Sequence, residues 1–275
     1  MVLTVLGYIG VMIMGISLGL IGGGGSIFAV PILVYLFRFE ASLATNYSLL
    51  LVGGTALAGM LQHAKKKLVD YPVLLKFGVP STLAVFATRF WLVPAIPNQI
   101  LISTDLQLSK NSFLLLSFAI LMLFAAWHMF RTANSSNTKK TNNTIENNNT
   151  SLPNQTQFTT IGIFTGCVTG LLGAGGGFII TPALVLFAHL TMKQAIATAL
   201  GVIALNALLG FAVSLLHPYP LNWPFLAAVL AVALLGIFIG VKLSTKFNNK
   251  SLKTIFAYAI LLMAVFILIN ELILK

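Results

Sequence analysis

Long apolar segments run through almost the whole chain, and they constrain its fold more than any motif does. Charged residues make up only 8% of the 275 residues, against about 25% in an ordinary globular domain. So little charge cannot cover the surface of a water-soluble domain. In lipid, backbone hydrogen bonds must be satisfied within the chain, which leaves helices as the economical solution. The sequence therefore predicts an all-α, polytopic integral membrane protein.

Ten apolar segments can be delimited, and two of them are unusually short. A helix needs about 20 residues to cross the roughly 30 Å hydrocarbon core. Ile27–Phe37 and Phe178–Ala188 have 11 residues each, and each follows a glycine cluster. We interpret both as half-helices or as arms of re-entrant hairpins. The other eight are Val2–Leu20, Leu43–Leu61, Val73–Val93, Phe113–Phe130, Phe158–Leu172, Ala195–Leu216, Leu221–Val241 and Ile255–Leu274.

A polar interval over residues 132–157 divides the segments into two sets of five. It is rich in Asn, Thr and Ser and has almost nothing to bury, which is typical of a disordered linker. We therefore expect a first transmembrane repeat over residues 1–131 and a second over residues 158–275. Each repeat would hold one glycine-broken helix pair and three full transmembrane helices, giving 8 to 10 membrane segments in all.

The two halves repeat each other in sequence. When Gly19 is aligned with Gly170, 8 of the 16 positions from Gly19 to Val34 are identical. The match continues in the third segments, LAT against IAT, and at the entries to the fourth segments, VDY against LNW. Many secondary transporters are built from such duplications, with the substrate site near the midplane where the repeats meet. We therefore expect a transporter.

The basic residues indicate the orientation of these segments. If the interval with Lys65, Lys66 and Lys67 is cytoplasmic, alternate crossings place twelve of the 16 Lys and Arg residues on that side. Loops rich in Lys and Arg stay in the cytoplasm. We therefore expect a cytoplasmic linker, external termini and halves inverted relative to each other. The four basic residues expected outside are Arg38, Arg89, Lys110 and Lys275.

The glycine clusters are the strongest functional signal in the sequence. No Lys follows either cluster, so neither is a phosphate-binding P-loop. In a membrane, the helix after a glycine break points its positive N-terminal end toward the break, which makes an anion site without a cationic side chain. Close helix packing is the alternative explanation, but two clusters in matching positions favour the anion site. The predicted substrate-binding glycines are Gly22, Gly23, Gly24, Gly25, Gly173, Gly175, Gly176 and Gly177.

Other candidate residues lie near these clusters. Pro31 and Pro182 follow the glycines and should break the half-helices, because proline removes a backbone donor. Thr45 and Thr198 could line the site or could bond to their own helices. The third segments also carry Asn46 and Asn206, which are costly to bury and are therefore predicted to line a polar cavity.

Several functional classes find no support in the sequence. The single cysteine, Cys167, is interpreted as a small packing residue rather than a transport nucleophile, and it excludes an internal disulfide. The four histidines fall near segment ends, with His63 expected at the membrane surface. All five acidic residues fall in loops or near helix ends, so no intramembrane carboxylate is expected as an ion carrier. We expect no enzyme activity, no cofactor, no metal and no nucleic-acid partner.

These blocks resemble the sulfite exporter TauE/SafE family. The resemblance rests on GLIGGGGSIFAVPIL and GLLGAGGGFIITPAL, on ASLATN and KQAIATA, and on LLGIFIGVKLSTKF. It implies a permease of the prokaryotic inner membrane that moves sulfite, organosulfonates or related small anions, usually outward. The chain departs from the family pattern at Asn46 and Ala199, where serine is usual. Its first half also lacks glycines matching Gly236 and Gly240.

The sequence thus predicts an inverted-repeat anion transporter whose partners are a small anion and the lipid bilayer. An interior-negative potential is worth about 2.3 kcal/mol per charge per 100 mV, enough to favour export of a monovalent anion about fifty-fold. Two alternatives remain at this stage. One is a membrane assembly or chaperone subunit that transports nothing, and the other is a permease for a neutral or cationic solute.

Overall fold

The helices of the protein follow the predicted segments closely. The computed structural model describes residues 2–95, 99–103, 106–135, 155–172, 176–188, 190–216, 221–244 and 249–272. Within these ranges the first half forms α1 (Val2–Ile21), α2 (Gly23–Leu36), α3 (Ala41–Lys65), α4 (Tyr71–Ala95) and α5 (Lys110–Ser135). The second half forms α6 (Gln155–Leu172), α7 (Gly177–Phe187), α8 (Met192–Ser214), α9 (Trp223–Leu243) and α10 (Asn249–Leu272).

Five of these helices are long and apolar enough to cross a membrane, counted over the described ranges: α1, α3, α4, α8 and α9. The helical, membrane-spanning character predicted from the composition is therefore confirmed. Most of the predicted linker, residues 136–154, lies outside the described residues, while α5 and α6 extend into its two ends. The sequence did not indicate the short hairpin between α4 and α5, in which β1 (Gln99–Ser103) pairs antiparallel with β2 (Leu106–Ser109).

Helix α2 begins four residues earlier than predicted, because the glycines themselves are wound into it. Gly22 adopts a φ of 80°, which suits a residue without a side chain, and separates α1 from α2. The chain then forms a 3-10 turn over Gly23–Phe28 and a single α-helical turn over Ala29–Pro31. Helix α2 then folds back along α1, since a Cβ built on Gly7 would meet the ring of Phe37. The two helices therefore form a hairpin with its glycine break at the tip.

The two prolines do not break their helices, which corrects the prediction for both. At Pro31 the winding changes from α to π, and the π turn runs over Ile32–Leu36. Pro182 lies inside α7, which continues to Phe187. Only one backbone donor is missing at each position, and the surrounding protein keeps the rest of the helix intact.

Helices α3 and α8 form the centre of the molecule and run antiparallel. A Cβ built on Gly53 would meet Leu208, and one built on Gly210 would meet Leu49. Among the five helices long enough to cross a membrane, α3 and α8 bury the largest share of their residues. They carry much of the main hydrophobic core, including the buried side chains of Leu51 and Ile203. The two central helices thus bring the halves together along their full length.

Small residues bring α1 against α9 and α6 against α4. On α1 and α9, Gly15 and Gly19 face the backbone of Gly236 and Gly240, and a Cβ at Gly19 would lie 2.8 Å from the Ile237 carbonyl oxygen. Gly-xxx-Gly spacing permits such close approach of membrane helices. On α6 and α4, glycines at 162, 166 and 170 take the same role against residues 77–88. Ala84 and Thr88 on α4 occupy the positions that correspond to Gly236 and Gly240 on α9.

Helices α4 and α9 start with equivalent caps. The side chain of Asp70 accepts a hydrogen bond from the Val73 N–H at 3.0 Å, and the side chain of Asn222 accepts one from the Phe225 N–H at 3.2 Å. An Asp or Asn cap satisfies a backbone donor that a helix start leaves free. In each case the next residue but one is a proline, which suits the first helical turn. The VDY and LNW blocks are therefore matching helix starts.

Candidate functional site

A buried arginine at the junction of the halves is the most notable polar feature of the core. Arg89 lies in the π-helical turn Thr88–Leu92 of α4 and is 4% exposed. Its Nε atom donates a hydrogen bond to the Gly170 carbonyl oxygen at 2.7 Å. Its Nη1 atom donates to Asn46 Oδ1 at 2.5 Å and to Ser214 Oγ at 3.0 Å. These bonds tie α4 to α6, α3 and α8.

The bonds of the Arg89 side chain to Gly170, Asn46 and Ser214 hold its guanidinium in place, and these three acceptors are neutral groups. Ser214 Oγ also lies 3.1 Å from Asn46 Oδ1 and 2.9 Å from the Gly210 carbonyl oxygen. Asn46 and Ser214 are themselves 5% and 7% exposed. A charge held in a low-dielectric environment acts strongly on any ion that reaches it. The cluster of Arg89, Asn46, Ser214 and Gly170 is called the arginine cluster below.

The burial of Arg89 corrects two expectations. The residue was expected in an external loop, and no buried cationic side chain was expected in the protein. A signal was present in the sequence, because Arg89 lies inside the apolar segment that ends at Val93. An ionisable residue within a membrane segment is a functional candidate by default.

The arginine cluster lies beside the second glycine break. Gly170 is in the last turn of α6, which ends at Leu172. Carbonyl groups in the last turn of a helix have no partner within the helix and carry its negative partial charge, so a cation is favoured there. The break follows directly, but Gly173 and Gly175 lie outside the described residues. Gly176 adopts a φ of 64° and begins the turn that leads into α7.

The two breaks meet at the centre of the molecule. A Cβ built on Gly23 would overlap the backbone of Gly177, and one built on Gly177 would overlap that of Gly23. The Gly23 N–H also donates a hydrogen bond to the hydroxyl of Thr181, at 3.3 Å. Gly22, Gly24 and the remaining described glycines of the breaks are buried. The arrangement leaves no room for a side chain between these two backbones.

The neighbouring glycine of the first break is equally confined. A Cβ built on Gly25 would lie 2.6 Å from the Met14 carbonyl oxygen. This contact holds α2 against α1 rather than against the second half.

Two other predicted site residues, Thr45 and Thr198, make hydrogen bonds within the protein. Thr45 Oγ1 donates to the Ala41 carbonyl oxygen of its own helix at 2.7 Å. Thr198 Oγ1 accepts the N–H of Asp70 at 3.0 Å, where α4 begins. The equivalent bond in the other half joins the Asn222 N–H to the Tyr47 hydroxyl at 2.9 Å. These threonines therefore stabilise helices and helix entries.

Asn206 connects two helices by side-chain hydrogen bonds and is fully buried. Its Nδ2 atom donates to Ser81 Oγ at 2.6 Å, and its Oδ1 atom accepts from Thr82 Oγ1 at 2.8 Å. These bonds satisfy both ends of the amide against α4. Of the two asparagines predicted to line a cavity, Asn46 contacts the buried cation and Asn206 joins α8 to α4.

Two ionisable residues near helix ends are buried within the protein. His63, in the last turn of α3, is 5% exposed. Glu271, near the end of α10 as expected, is 8% exposed. The described part of the chain contains no group of three or more His, Cys, Asp or Glu side chains that could hold a metal ion.

Comparison with known proteins identifies the family. The chain matches the family model "Sulfite exporter TauE/SafE" over residues 8–267. It is 28% identical over 262 residues to a probable membrane transporter protein of Xylella fastidiosa, covering 93% of this chain and 91% of that protein. A probable membrane transporter protein of Methanocaldococcus jannaschii is 24% identical, with 94% and 92% covered. Another, from Bacillus subtilis, is 26% identical, with 95% and 94% covered. No solved structure matches significantly. The protein is an integral membrane transporter and belongs to the sulfite exporter TauE/SafE family.

Proposed function

We propose that the protein is a permease that exports small anions such as sulfite, organosulfonates or related carboxylates, without converting them chemically. The observation that carries this proposal is the buried guanidinium of Arg89, held by three neutral acceptors where α3, α4, α6 and α8 meet. A buried guanidinium attracts anions and donates strong, charge-assisted hydrogen bonds to oxyanions. In this proposal the permeating anion binds at the arginine cluster during transport.

The helix directions support an inverted repeat. Helices α3 and α8 are repeat counterparts and run antiparallel, as the contacts of Gly53 with Leu208 and of Gly210 with Leu49 indicate. A two-fold axis that relates antiparallel membrane helices lies in the membrane plane. The other helix contacts follow the same symmetry. Helix α1 of the first half packs on α9 of the second, and their repeat counterparts α6 and α4 pack on each other. We therefore propose that the halves are inverted and that their interface is the transport pathway.

The arginine cluster should lie toward the external end of this pathway. The basic residues place the start of α3 and the end of α4 outside, and these are the ends that carry Asn46 and Arg89. Removing Arg89 from the external loops leaves twelve basic residues inside against three outside. The charge asymmetry is therefore larger once Arg89 is counted as buried. We propose that the protein lies in the cell membrane with both termini outside.

Close contact between Gly23 and Gly177 would separate the two sides of the membrane in this conformation. Alternating access in inverted-repeat transporters comes from rocking of one repeat against the other around a fixed site. Neither glycine carries a side chain that would obstruct sliding or separation of the halves at this contact. We propose that the glycine breaks serve this movement, and that the arginine cluster supplies the charge that attracts the anion.

The proposal is tested by anion efflux from proteoliposomes with purified protein and a panel of sulfite, methanesulfonate and acetate. Arg89→Gln should reduce sulfite efflux by at least about tenfold, since a hydrogen bond to a charged group contributes about 1.5–3 kcal/mol. Arg89→Lys should retain part of the activity, because the charge remains but the forked geometry is lost. Both variants should be assayed only if they fold and insert as wild type does.

Arg38→Gln provides a matched control. Arg38 is exposed in the turn between α2 and α3, so the substitution removes the same charge near the same end of the molecule. It should leave efflux unchanged. If folded Arg89→Gln exports sulfite like wild type, or if no anion of the panel is moved by wild type, the anion proposal is wrong. The role of Arg89 would then be to join helices through its hydrogen bonds.

A further inference from the structure

A second buried polar group lies at the other end of α3. His63 is in the last turn of α3 and is 5% exposed, and both ring nitrogens, Nδ1 and Nε2, are buried without a hydrogen-bond partner. The side-chain Nε2 of the adjacent Gln62 is also buried without one. Buried polar atoms are almost always paired in native proteins, and exceptions often mark the site of a bound water, ion or ligand. His63 is therefore a candidate for contact with something that the protein binds.

The helix register places His63 at the level of the first glycine break. One turn earlier on α3, a Cβ at Gly59 would meet Ile237 of α9 at 2.5 Å and Leu200 of α8 at 3.2 Å. Helix α8 runs antiparallel to α3, so the next turn of α3 comes level with Ile196 on α8. A Cβ built on Gly22 would contact this same Ile196 at 3.1 Å. His63 thus lies near the tip of the α1–α2 hairpin.

The register between α3 and α9 gives the same position for His63. Helix α9 runs parallel to α3, because Gly54 meets Leu230 and Gly59 meets Ile237. The next turn brings His63 level with Val241, and a Cβ at Gly19 would lie 2.7 Å from the Val241 N atom. Asn46 and His63 are 17 residues apart on one helix, a rise of about 25 Å. The arginine cluster and His63 therefore lie at opposite ends of the interface between the halves.

The internal repeat shows that His63 has no equivalent among the duplicated positions of the arginine cluster. The internal alignment pairs Arg89 with Val241, Asn46 with Ala199 and Gly170 with Gly19. The counterpart of the arginine cluster therefore has no cation and no amide at these positions. His63 brings a polar group to the end of the molecule where the duplicated positions supply none.

We infer that His63 is a second contact for the permeating anion, at the opposite end of the pathway from Arg89. The inference rests on the proposed function. A neutral imidazole offers one N–H donor to an oxyanion, and an imidazolium offers two. A site of this kind binds more weakly than a buried guanidinium, and transport favours binding that is weak enough to allow release. Exposed Lys65, Lys66 and Lys193 raise the local anion concentration at this end.

The first test compares His63→Leu with wild type in sulfite affinity and sulfite efflux. Loss of one hydrogen bond to the substrate should weaken the apparent affinity by about fivefold. The thermal stability of the variant should equal or exceed that of wild type, because an apolar side chain removes two buried, unpaired nitrogens. A gain in stability with a loss of affinity separates substrate contact from a structural role. His217→Leu, the same substitution three residues after the end of α8, should change neither.

The second test observes the imidazole directly. In full-length protein with ¹⁵N-labelled histidine, the signal that disappears in His63→Gln belongs to His63. Addition of sulfite should shift that signal in wild type, and addition of sodium chloride at equal ionic strength should not. If the signal does not respond and His63→Leu keeps wild-type affinity while Arg89→Gln is impaired, the inference is wrong and the anion proposal stands. If wild type neither binds nor moves any anion, the proposed function itself is wrong.

Discussion

Two buried asparagines on the central helices show how much the role of a side chain depends on its partners. Asn46 accepts a hydrogen bond from the Arg89 guanidinium, whereas Asn206 is satisfied by two hydroxyl groups of α4. Both residues had the same predicted role, since each is an amide inside an apolar segment. Only Asn46 lies where a change of charge would alter the electrostatics of the proposed pathway.

Asn46→Asp should abolish anion transport while leaving the protein folded. A carboxylate at this position would form an ion pair with Arg89 and neutralise the charge that attracts the substrate. Asn46→Ala keeps the positive charge of Arg89 and should weaken sulfite affinity only several-fold, since one hydrogen bond contributes about 1 kcal/mol. Counterflow assays on both variants, with thermal unfolding as the folding control, measure the difference. Transport by Asn46→Asp at the wild-type level would contradict the role given to the arginine cluster.

Asn206→Leu should have the opposite signature. Its loss leaves Ser81 and Thr82 without their shared amide partner inside the protein, which costs about 1–3 kcal/mol of stability. The affinity for sulfite should stay within about twofold of wild type, because Asn206 contacts α4 and not the arginine cluster. Thermal unfolding in detergent and efflux at several sulfite concentrations would show this. A large loss of affinity at unchanged stability would assign Asn206 to the substrate site instead.

At the scale of elements, the short helices α2 and α7 owe their positions to glycine. The 3-10 turn at the start of α2 and the left-handed Gly176 before α7 bring the two helix starts together at Gly23 and Gly177. Any larger residue at Gly23 would overlap the opposite backbone. The breaks therefore form a contact surface between the halves, and the charge that we propose attracts the anion belongs to a helix beside them.

Gly23→Ala should impair transport strongly, because the added methyl group forces the two halves apart. Overpacking of this kind costs about 1–3 kcal/mol, so the variant should also unfold at a lower temperature. Gly78→Ala on α4 is the matched control. Its methyl group would meet Val202 and Leu205 only at 3.6 and 3.7 Å, which is ordinary contact.

The control should be neutral or slightly stabilising, as alanine is favoured over glycine within a helix. Efflux and thermal unfolding of both variants provide the comparison. Equal behaviour of the two alanine variants would mean that the contact between Gly23 and Gly177 has no part in transport.

At the scale of the whole molecule, charge and helix direction lead to the same arrangement. The basic residues favour one face twelve to three once Arg89 is counted as buried. The antiparallel α3 and α8 are what an inverted repeat requires. In the proposed inverted repeat, each half crosses the membrane an odd number of times, which would place the two chain ends on the same side.

Reporter fusions should therefore find both termini outside the cell and residues 136–154 in the cytoplasm. The expected result follows from the retention of Lys-rich loops on the cytoplasmic side. A fusion partner that is active only in the cytoplasm and another that is active only outside it, each placed at both termini and in the linker, give six independent readings. Termini on opposite sides, or a cytoplasmic C-terminus, would contradict the inverted repeat.

The sequence by itself determined the class, the segments and the family. Lipid imposes a composition and a helix length that a single chain records directly. Predicted and observed helix ends therefore agree for most segments, and the duplicated glycine blocks locate the two short helices. The sequence did not predict helix geometry that depends on the surrounding protein. Pro31 and Pro182 were expected to break their helices, and both helices continue.

Only the tertiary structure decided which polar residues are buried together. The partners of Arg89 are 43, 81 and 125 residues away along the chain, so no local pattern reveals them. The same holds for the unpaired ring of His63, for the amide of Asn206, and for the contact of Gly23 with Gly177. Each depends on two halves that fold against each other, and their relative position is set by packing across the interface and not by any one segment.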